Sequence, residues 1–309
     1  MNWDLVTSSP CQLGESPFWH PHEQMLYWVD IIGKSIHRSN IYMDDVDTWH
    51  VPSEPGCIAP AFSGGLVIAM RDGIYRSYQW GGALVKIAQI TLNTDYIRAN
   101  DGKCDSLGRF WVGTMDESGR TQSANLYCID AREEGAPEVS SQINHIRNAV
   151  TANGLAWSPD GKIIYWADTP THQIKTWDFE PETRLLSNPA LFASFSKKVS
   201  SSPKNLEHYQ GRPDGAAVDI NGDYYVAMYE GAKICQFSQG GTLQQTWPTP
   251  ARCPTMPCFG GEDLQTLYIT TARQKSHPEE LALYPNSGCL FSMRMQTPGL
   301  PVNFFSEFS

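Results

Sequence analysis

The sequence predicts an all-β fold, a six-bladed β-propeller. The main observation is a pattern repeated six times, in which a turn rich in Gly, Asp or Asn leads into a short strand of aromatic and β-branched residues. The six strands lie near positions 27, 67, 111, 165, 225 and 268. Helical signal is weak, and its best candidate is the short segment 277–284. Repeats of roughly 40 to 60 residues in an all-β chain are typical of radial blades, because one four-stranded sheet cannot bury both of its faces alone.

Each predicted blade is marked by a turn signal followed by strand residues. The clearest signals are Ser158-Pro159-Asp160-Gly161 in the fourth blade and Asn221-Gly222-Asp223 in the fifth. Pro-Asp-Gly and Asn-Gly sequences favour tight reversals, because Pro fixes φ and Gly tolerates positive φ. The predicted blades contain, in order, 14–38, 58–80, 100–130, 153–179, 214–238, and 258–273 with 288–295.

The two ends of the chain are also strand-like. We expect the head (NWDLVTS) and the tail (PVNFFSEFS) to lie in one blade, so that the N- and C-terminal strands close the ring. No linker divides the chain, which predicts a single domain over residues 1–309. Two long polar stretches, 194–212 and 274–287, interrupt the repeat, and stretches of this kind are either functional rims or simple decoration.

Composition and charge exclude several classes of function. The formal net charge is −10 and basic residues form no run, which argues against a nucleic-acid partner. The N-terminus lacks the basic and apolar regions of a secretory signal. No apolar stretch approaches the roughly 20 residues that span a bilayer. These features predict a cytoplasmic protein without a membrane partner, present as a monomer or weak dimer.

The eight cysteines form no zinc-binding pattern, because no CxxC pair is present and no Cys/His spacing resembles a zinc finger. Several fall in or beside strand patterns, where a thiol behaves as a small apolar group. We therefore expect buried, reduced cysteines. Cys253 and Cys258 flank a Pro-rich loop and could pair.

Four short segments place polar residues beside Gly or Pro just before an inner strand. In each segment one polar residue is expected to open the inner strand, and these four residues are Glu15, Asn100, Asn153 and Asp214. Because the first residue of each inner strand faces the mouth of the channel, the four side chains are expected to converge from four blades. Two carboxylates and an amide oxygen are donors that suit hard or borderline divalent cations. The sequence therefore predicts a cation site at this mouth.

The same segments resemble the successive motifs of the SMP-30/gluconolactonase/regucalcin family. The similarity spans residues 11–273 and keeps the order of the motifs. They read GESPFW, RANDGKCDSLGRFWVGTM, NGLAWSPDGKIIYWAD, RPDGAAVDINGDYYVA and CFGGEDLQTLYITTAR. The resemblance implies a six-bladed propeller that hydrolyses sugar lactones with the help of a divalent metal.

Carried to this sequence, the resemblance assigns individual roles. It places one divalent ion, of the set Zn, Ca, Mn, Mg or Fe(II), on three side chains, those of Glu15, Asn153 and Asp214. It also implies that the sugar lactone contacts three further residues, Arg98, Asn100 and Glu117.

The expected reaction opens an aldonolactone to its sugar acid. A divalent ion can polarise the lactone carbonyl and lower the pKa of bound water, and Asp214 is expected to help remove a proton from the attacking water. Arg98 could instead be a structural partner of a nearby carboxylate. A calcium-binding regulator or an interaction scaffold without enzymatic activity is the alternative, because propellers host unrelated functions. The candidate substrates are glucono-, xylono-, arabinono- and galactono-lactone.

Overall fold

A computed structural model describes residues 2–40, 45–90, 93–142, 145–146, 148–198 and 209–308. Within these residues the strands form six antiparallel sheets of four strands each. The inner strands of neighbouring sheets contact one another around a central channel. The predicted six-bladed β-propeller is therefore confirmed.

The first five sheets each consist of four consecutive strands, numbered here in chain order. The first three sheets contain β2 (Gly14–His20), β3 (Met25–Asp30), β4 (Ser35–Asn40) and β5 (Asp45–His50); β6 (Pro55–Pro60), β7 (Leu66–Met70), β8 (Gly73–Ser77) and β9 (Val85–Ala88); and β10 (Ile97–Cys104), β11 (Phe110–Asp116), β12 (Leu126–Asp130) and β13 (Glu138–Ser141). The fourth and fifth contain β14 (Ala152–Trp157), β15 (Ile163–Asp168), β16 (Gln173–Glu180) and β17 (Leu185–Ser194); and β18 (Arg212–Val218), β19 (Tyr224–Tyr229), β20 (Lys233–Phe237) and β21 (Leu243–Pro248).

The sixth sheet joins the two ends of the ring. It contains β22 (Pro254–Gly260), β23 (Thr266–Thr271), β24 (Phe291–Arg294) and the first strand of the chain, β1 (Asp4–Leu5). β1 pairs with β24, and Asp4 lies opposite Ser292. The first and last strands therefore share one blade.

The tail that follows β24 does not lie in the sixth sheet, so the prediction that placed residues 301–309 there is wrong. Phe305 forms a parallel bridge with Ala61 and Glu307 forms one with Ala131, next to the second and third sheets. Phe305 is fully buried in the cluster between these two sheets. The tail thus fills a gap between two blades, while β1 occupies the edge beside β24.

The turns between the first two strands of a blade follow the predicted chemistry. In three blades the amide of a glycine donates to the carbonyl three residues before it, from Gly108 to Asp105 at 3.0 Å, from Gly161 to Ser158 at 2.8 Å, and from Gly222 to Asp219 at 3.0 Å. These three glycines have φ values of 81°, 69° and 86°, a conformation that side chains with a Cβ rarely adopt.

Aromatic side chains fill the layers between blades. Tyr165 of the fourth sheet stacks on Tyr224 of the fifth with ring centroids 4.7 Å apart, and Trp111 of the third meets Trp157 of the fourth at 6.0 Å. All eight cysteines are buried free thiols, so the pairing considered for Cys253 and Cys258 is not present.

The predicted helical segment forms α1 (Pro278–Leu283), in the loop between β23 and β24. Over the described ranges, no helix has the length and apolar character needed to cross a bilayer. Residues 199–208 of the predicted insertion at 194–212 lie outside the described residues.

Candidate active site

Each inner strand contains a break in pairing register near its first residues. The breaks lie between Glu15 and Phe18, Pro55 and Cys57, Ala99 and Gly102, Asn153 and Ala156, Pro213 and Ala216, and Pro254 and Met256. A bulge of this kind re-aims side chains and is frequent beside active sites. All six bulges lie at the same end of the channel, where the predicted site residues are located.

Glu15 and Asn153 occupy the last paired position before their bulges, and both are followed by a left-handed residue. Ser16 has φ 49° and Gly154 has φ 64°. A left-handed serine is uncommon, and here the Ile58 amide donates to its hydroxyl at 3.0 Å. A Cβ on Gly154 would lie 2.5 Å from the Tyr224 hydroxyl, so glycine is required there.

Asn100 and Asp214 lie inside the bulges of the third and fifth sheets. Asn100 donates through Nδ2 to the Asn153 side-chain oxygen at 2.9 Å, and Asn153 donates to the Thr169 hydroxyl at 2.8 Å. The Thr169 hydroxyl in turn donates at 2.8 Å to the carbonyl of Pro213, the residue before Asp214. The chain of hydrogen bonds therefore links Asn100, Asn153 and the strand that carries Asp214.

Glu15 and Asp214 are buried carboxylates that influence each other. Burial raises the pKa of Glu15 well above its usual range, and the nearby Asp214 and Asp101 add to this effect. Burial also raises the pKa of Asp214, again with a contribution from Asp101. The structure thus brings two of the predicted ligands together with a third acidic residue that the sequence analysis had not singled out.

Asp101 and Lys103 connect β10 to the two strands that carry Asn153 and Asp214, β14 in the next sheet and β18 in the sheet after it. The Leu155 amide, just after the Asn153–Gly154 segment, donates to Asp101 Oδ2 at 2.8 Å. The Lys103 ammonium donates to the Ala216 carbonyl, two residues after Asp214. Both residues belong to the Asn-Asp-Gly-Lys segment of the sequence, which was the available signal for their importance.

The charge balance of this buried cluster fits a bound cation. It contains three carboxylates, those of Glu15, Asp101 and Asp214, and two cationic side chains, those of Arg98 and Lys103. Buried carboxylates that are not fully neutralised are unfavourable, and an added divalent ion relieves their repulsion. Asn153 Oδ1 accepts one hydrogen bond from Asn100 and keeps a second lone pair for a metal. The described residues contain no group of three His, Cys, Asp or Glu placed to hold a metal, and the predicted set has two carboxylates and an amide.

Arg98 is buried and its donors point at several partners. It donates to Asn100 Oδ1 at 2.7 Å and to the backbone oxygen of Ala99 at 2.9 Å. Its Nε lies 3.3 Å from Glu117 Oε1, and the other oxygen of Glu117 lies 2.8 Å from Arg71. The ion pair shows that Arg98 has the structural partner considered as an alternative to substrate contact. Glu117 and Asn100 thus both contact the Arg98 guanidinium.

The preceding acidic residue, Asp116, forms hydrogen bonds within its own turn. Its carboxylate accepts hydrogen bonds from the hydroxyls of Ser118 and Thr121 at 2.6 Å each. These hydrogen bonds lower the pKa of Asp116 to about 2, against the effect of burial. Asp116 is therefore committed to its own turn, and Glu117 is the carboxylate that faces Arg98.

A cavity of about 340 Å³ extends along the channel from the bulges towards the far ends of the inner strands. Its lining includes Ser16 and Lys103 beside the bulges, and residues 300–303 of the tail. Trp19, Ser158 and Phe259 are among its lining residues. The carboxylates instead face the end where the inner strands begin.

Fold and site together define a six-bladed propeller with an oxygen-lined, acidic channel mouth. The chain belongs to the SMP-30/gluconolactonase/LRE-like family, whose profile matches residues 13–273. It is 36% identical over 305 residues to a protein of Pseudomonas putida named 6-deoxy-6-sulfogluconolactonase, covering 97% of each chain. It is 30% identical over 306 residues to regucalcin of Danio rerio, covering 96% of each.

Solved structures agree with this architecture. A structure from Agrobacterium tumefaciens, described as a calcium-binding protein, regucalcin, superposes with a TM-score of 0.86. The two chains are 22% identical, and the match covers 98% of this chain and 96% of that one. This similarity supports the fold.

Proposed function

We propose that this protein is a metal-dependent hydrolase that opens aldonolactones to their sugar acids. The observation that carries the proposal is the convergence of Glu15, Asn153 and Asp214 at one channel mouth, beside Arg98 and Asn100. The family of the chain and the printed name of the Pseudomonas relative support the same reaction class. In this proposal, the three oxygen donors hold one divalent ion.

The bound ion would polarise the lactone carbonyl and lower the pKa of water at the site. Asp214 takes a proton from the attacking water as the new carbon–oxygen bond forms. The ring carbon–oxygen bond then breaks, its oxygen gains a proton, and the product is the open-chain aldonic acid. Arg98, Asn100 and Glu117 contact the sugar hydroxyls and orient the carbonyl for attack.

A calcium-binding propeller without hydrolytic activity is the second candidate. It is favoured by the description of the Agrobacterium structure as a calcium-binding protein. It shares the proposed cation site and differs only in chemistry. Such a protein would bind the ion and release no acid from a lactone.

The test is acid release from glucono-, xylono-, arabinono- and galactono-lactone in weakly buffered solution, with Zn²⁺, Mn²⁺, Ca²⁺, Mg²⁺ or Fe²⁺ added to chelator-treated protein. We expect metal-dependent acid release by the wild type and its loss in Asp214→Ala and Asn153→Ala. Glu182→Gln, an exposed substitution in the turn between β16 and β17, is the control. Full turnover by either site variant after chelation would overturn the proposal, and ion binding without acid release by the wild type would favour the calcium-binding alternative.

A further inference from the structure

Arg212 occupies the same position in β18 that Arg98 occupies in β10. Each arginine is the second residue before a polar side chain in the bulge, Asn100 in one strand and Asp214 in the other. The register of pairing is also the same. In both strands, the arginine and the residue after it are the last two paired residues before the bulge. Two arginines therefore stand at equivalent places on the channel mouth.

The two arginines differ in how much of the guanidinium is available. The Arg98 side chain is 7% exposed and the Arg212 side chain is 32% exposed. Arg212 Nη1 lies 3.4 Å from Glu230 Oε2, longer than a normal hydrogen bond, and the guanidinium also contacts Tyr209. The group stacks at 5.1 Å over the ring of Tyr229. Since a guanidinium carries five donors, its contacts with the described residues leave several of them for a ligand.

Glu230 does not neutralise this part of the mouth. Its Oε1 atom accepts from the Lys198 ammonium at 2.9 Å, so one carboxylate serves both Lys198 and Arg212. The Arg212/Lys198/Glu230 cluster therefore keeps one net positive charge. The cluster stands beside the proposed reaction centre, because Arg212 lies two residues before Asp214 in β18.

In the cluster around Arg98, positive and negative charges are equal in number. Arg98 and Arg71 face Glu117, and Arg71 also faces Glu54 at 3.0 Å. Two cations thus meet two carboxylates. A sugar hydroxyl is matched by such a balanced cluster, whereas the excess charge at Arg212 favours an anion.

We propose that Arg212, assisted by Lys198, binds an anionic substituent on the substrate, such as a phosphate or sulfonate attached to the sugar at a position remote from the lactone carbonyl. This inference rests on the proposed lactonase function and adds the substrate class. A planar guanidinium matches the oxygens of phosphate or sulfonate with paired hydrogen bonds. Because Arg212 and Asp214 lie on the same inner strand, an anion held by Arg212 would lie beside the proposed reaction centre.

The experiment compares kcat/KM for gluconolactone, 6-phosphogluconolactone and the 6-deoxy-6-sulfo analogue, in wild type and in Arg212→Gln. We expect the variant to lower kcat/KM for one or both anionic lactones about tenfold to a hundredfold more than for gluconolactone. Lys198→Gln should produce the same discrimination at a smaller size. Arg294→Gln, an exposed arginine paired with Asp263 on the sixth sheet, is the matched control and should leave the ratio unchanged.

A binding measurement provides a second readout that does not require turnover. Calorimetric titration with 6-phosphogluconate and gluconate should show tighter binding of the phosphorylated acid, with the difference removed in Arg212→Gln. Equal losses for charged and neutral lactones, or none, would overturn the inference while leaving lactone hydrolysis intact. If the wild type hydrolyses no lactone at all, the proposed function fails instead. The comparison of phosphate with sulfonate identifies which anion the cluster takes.

Discussion

The channel mouth has two arginine clusters that are built alike and neutralised differently. On the third sheet, Arg98 is buried and contacts Asn100, the Ala99 backbone and Glu117. On the fifth sheet, Arg212 is partly exposed and shares Glu230 with Lys198. The comparison shows that a residue type in a given strand position does not fix its role. In our proposal, the number of carboxylates near the arginine determines whether it orients neutral hydroxyls or binds an anion.

The largest expected effect comes from the proposed ion site, which lies between the two clusters in our proposal. Glu15→Gln removes one of the two carboxylate ligands, and we expect kcat/KM to fall by about 10²- to 10³-fold for neutral and anionic lactones alike. Burial, Asp214 and Asp101 all raise the pKa of Glu15, so its charge is unfavourable in the ion-free protein. The ion-free variant should therefore melt at the same temperature as the wild type or higher. Thermal melting and steady-state kinetics check both statements, and a variant that kept its activity would remove Glu15 from the site.

The second-largest effect is expected from Arg98→Gln, which disrupts the charge-balanced cluster around Arg98. Arg98→Gln removes the charged donor to Asn100 and leaves Glu117 facing Arg71 alone. We expect kcat/KM to fall roughly 10- to 100-fold for every lactone, because the lost hydrogen bonds orient the part of the sugar common to all of them. The measurement is the ratio of kcat/KM for charged and neutral lactones, which should stay constant in this variant. A change in that ratio would contradict the assignment of the two clusters.

The smallest effect is expected from Glu230→Gln, which changes the net charge of the Arg212 cluster and so tests how it differs from the Arg98 cluster. Glu230→Gln removes the one carboxylate shared by Arg212 and Lys198 and raises the net charge of the cluster. The KM for an anionic lactone should fall about two- to fivefold, the size expected of a partly exposed ion pair, with little change for gluconolactone. Steady-state kinetics at low salt measures the change, and Glu138→Gln, which alters an exposed pair with Arg184, is the control. A rise in KM for the anionic lactone would contradict an attractive role for the cluster.

The sequence was informative about the blades because each of them repeats a local signal. Turn residues such as Gly161 and Gly222 have the positive φ that their type favours, and the predicted strands follow them as β15 and β19. The position of the tail could not be predicted from a repeated local signal. Phe305 and Glu307 each make a single bridge to a different sheet, and isolated bridges have no periodic pattern.

The candidate site also contains residues that the sequence could place and residues that it could not. Glu15, Asn153 and Asp214 could be placed at one mouth because each lies near the start of an inner strand, although their predicted roles as metal ligands stay predictions. Asp101 and Arg212 were not singled out. Their importance depends on bulges and on contacts with other blades, such as that between Asp101 and Leu155, and these arise only when the ring closes. Burial and charge balance across the channel are properties of the folded molecule.

The central claim is that Glu15, Asn153 and Asp214 hold one divalent ion on which hydrolysis depends. Calorimetric titration of chelator-treated protein with Mn²⁺, paired with lactone turnover at each point, tests it most directly. We expect one ion per chain, turnover that rises in proportion to the bound ion, and loss of both in Glu15→Gln, Asn153→Leu and Asp214→Asn. Ion binding of unchanged affinity in these three variants, or full turnover by the ion-free wild type, would contradict the claim.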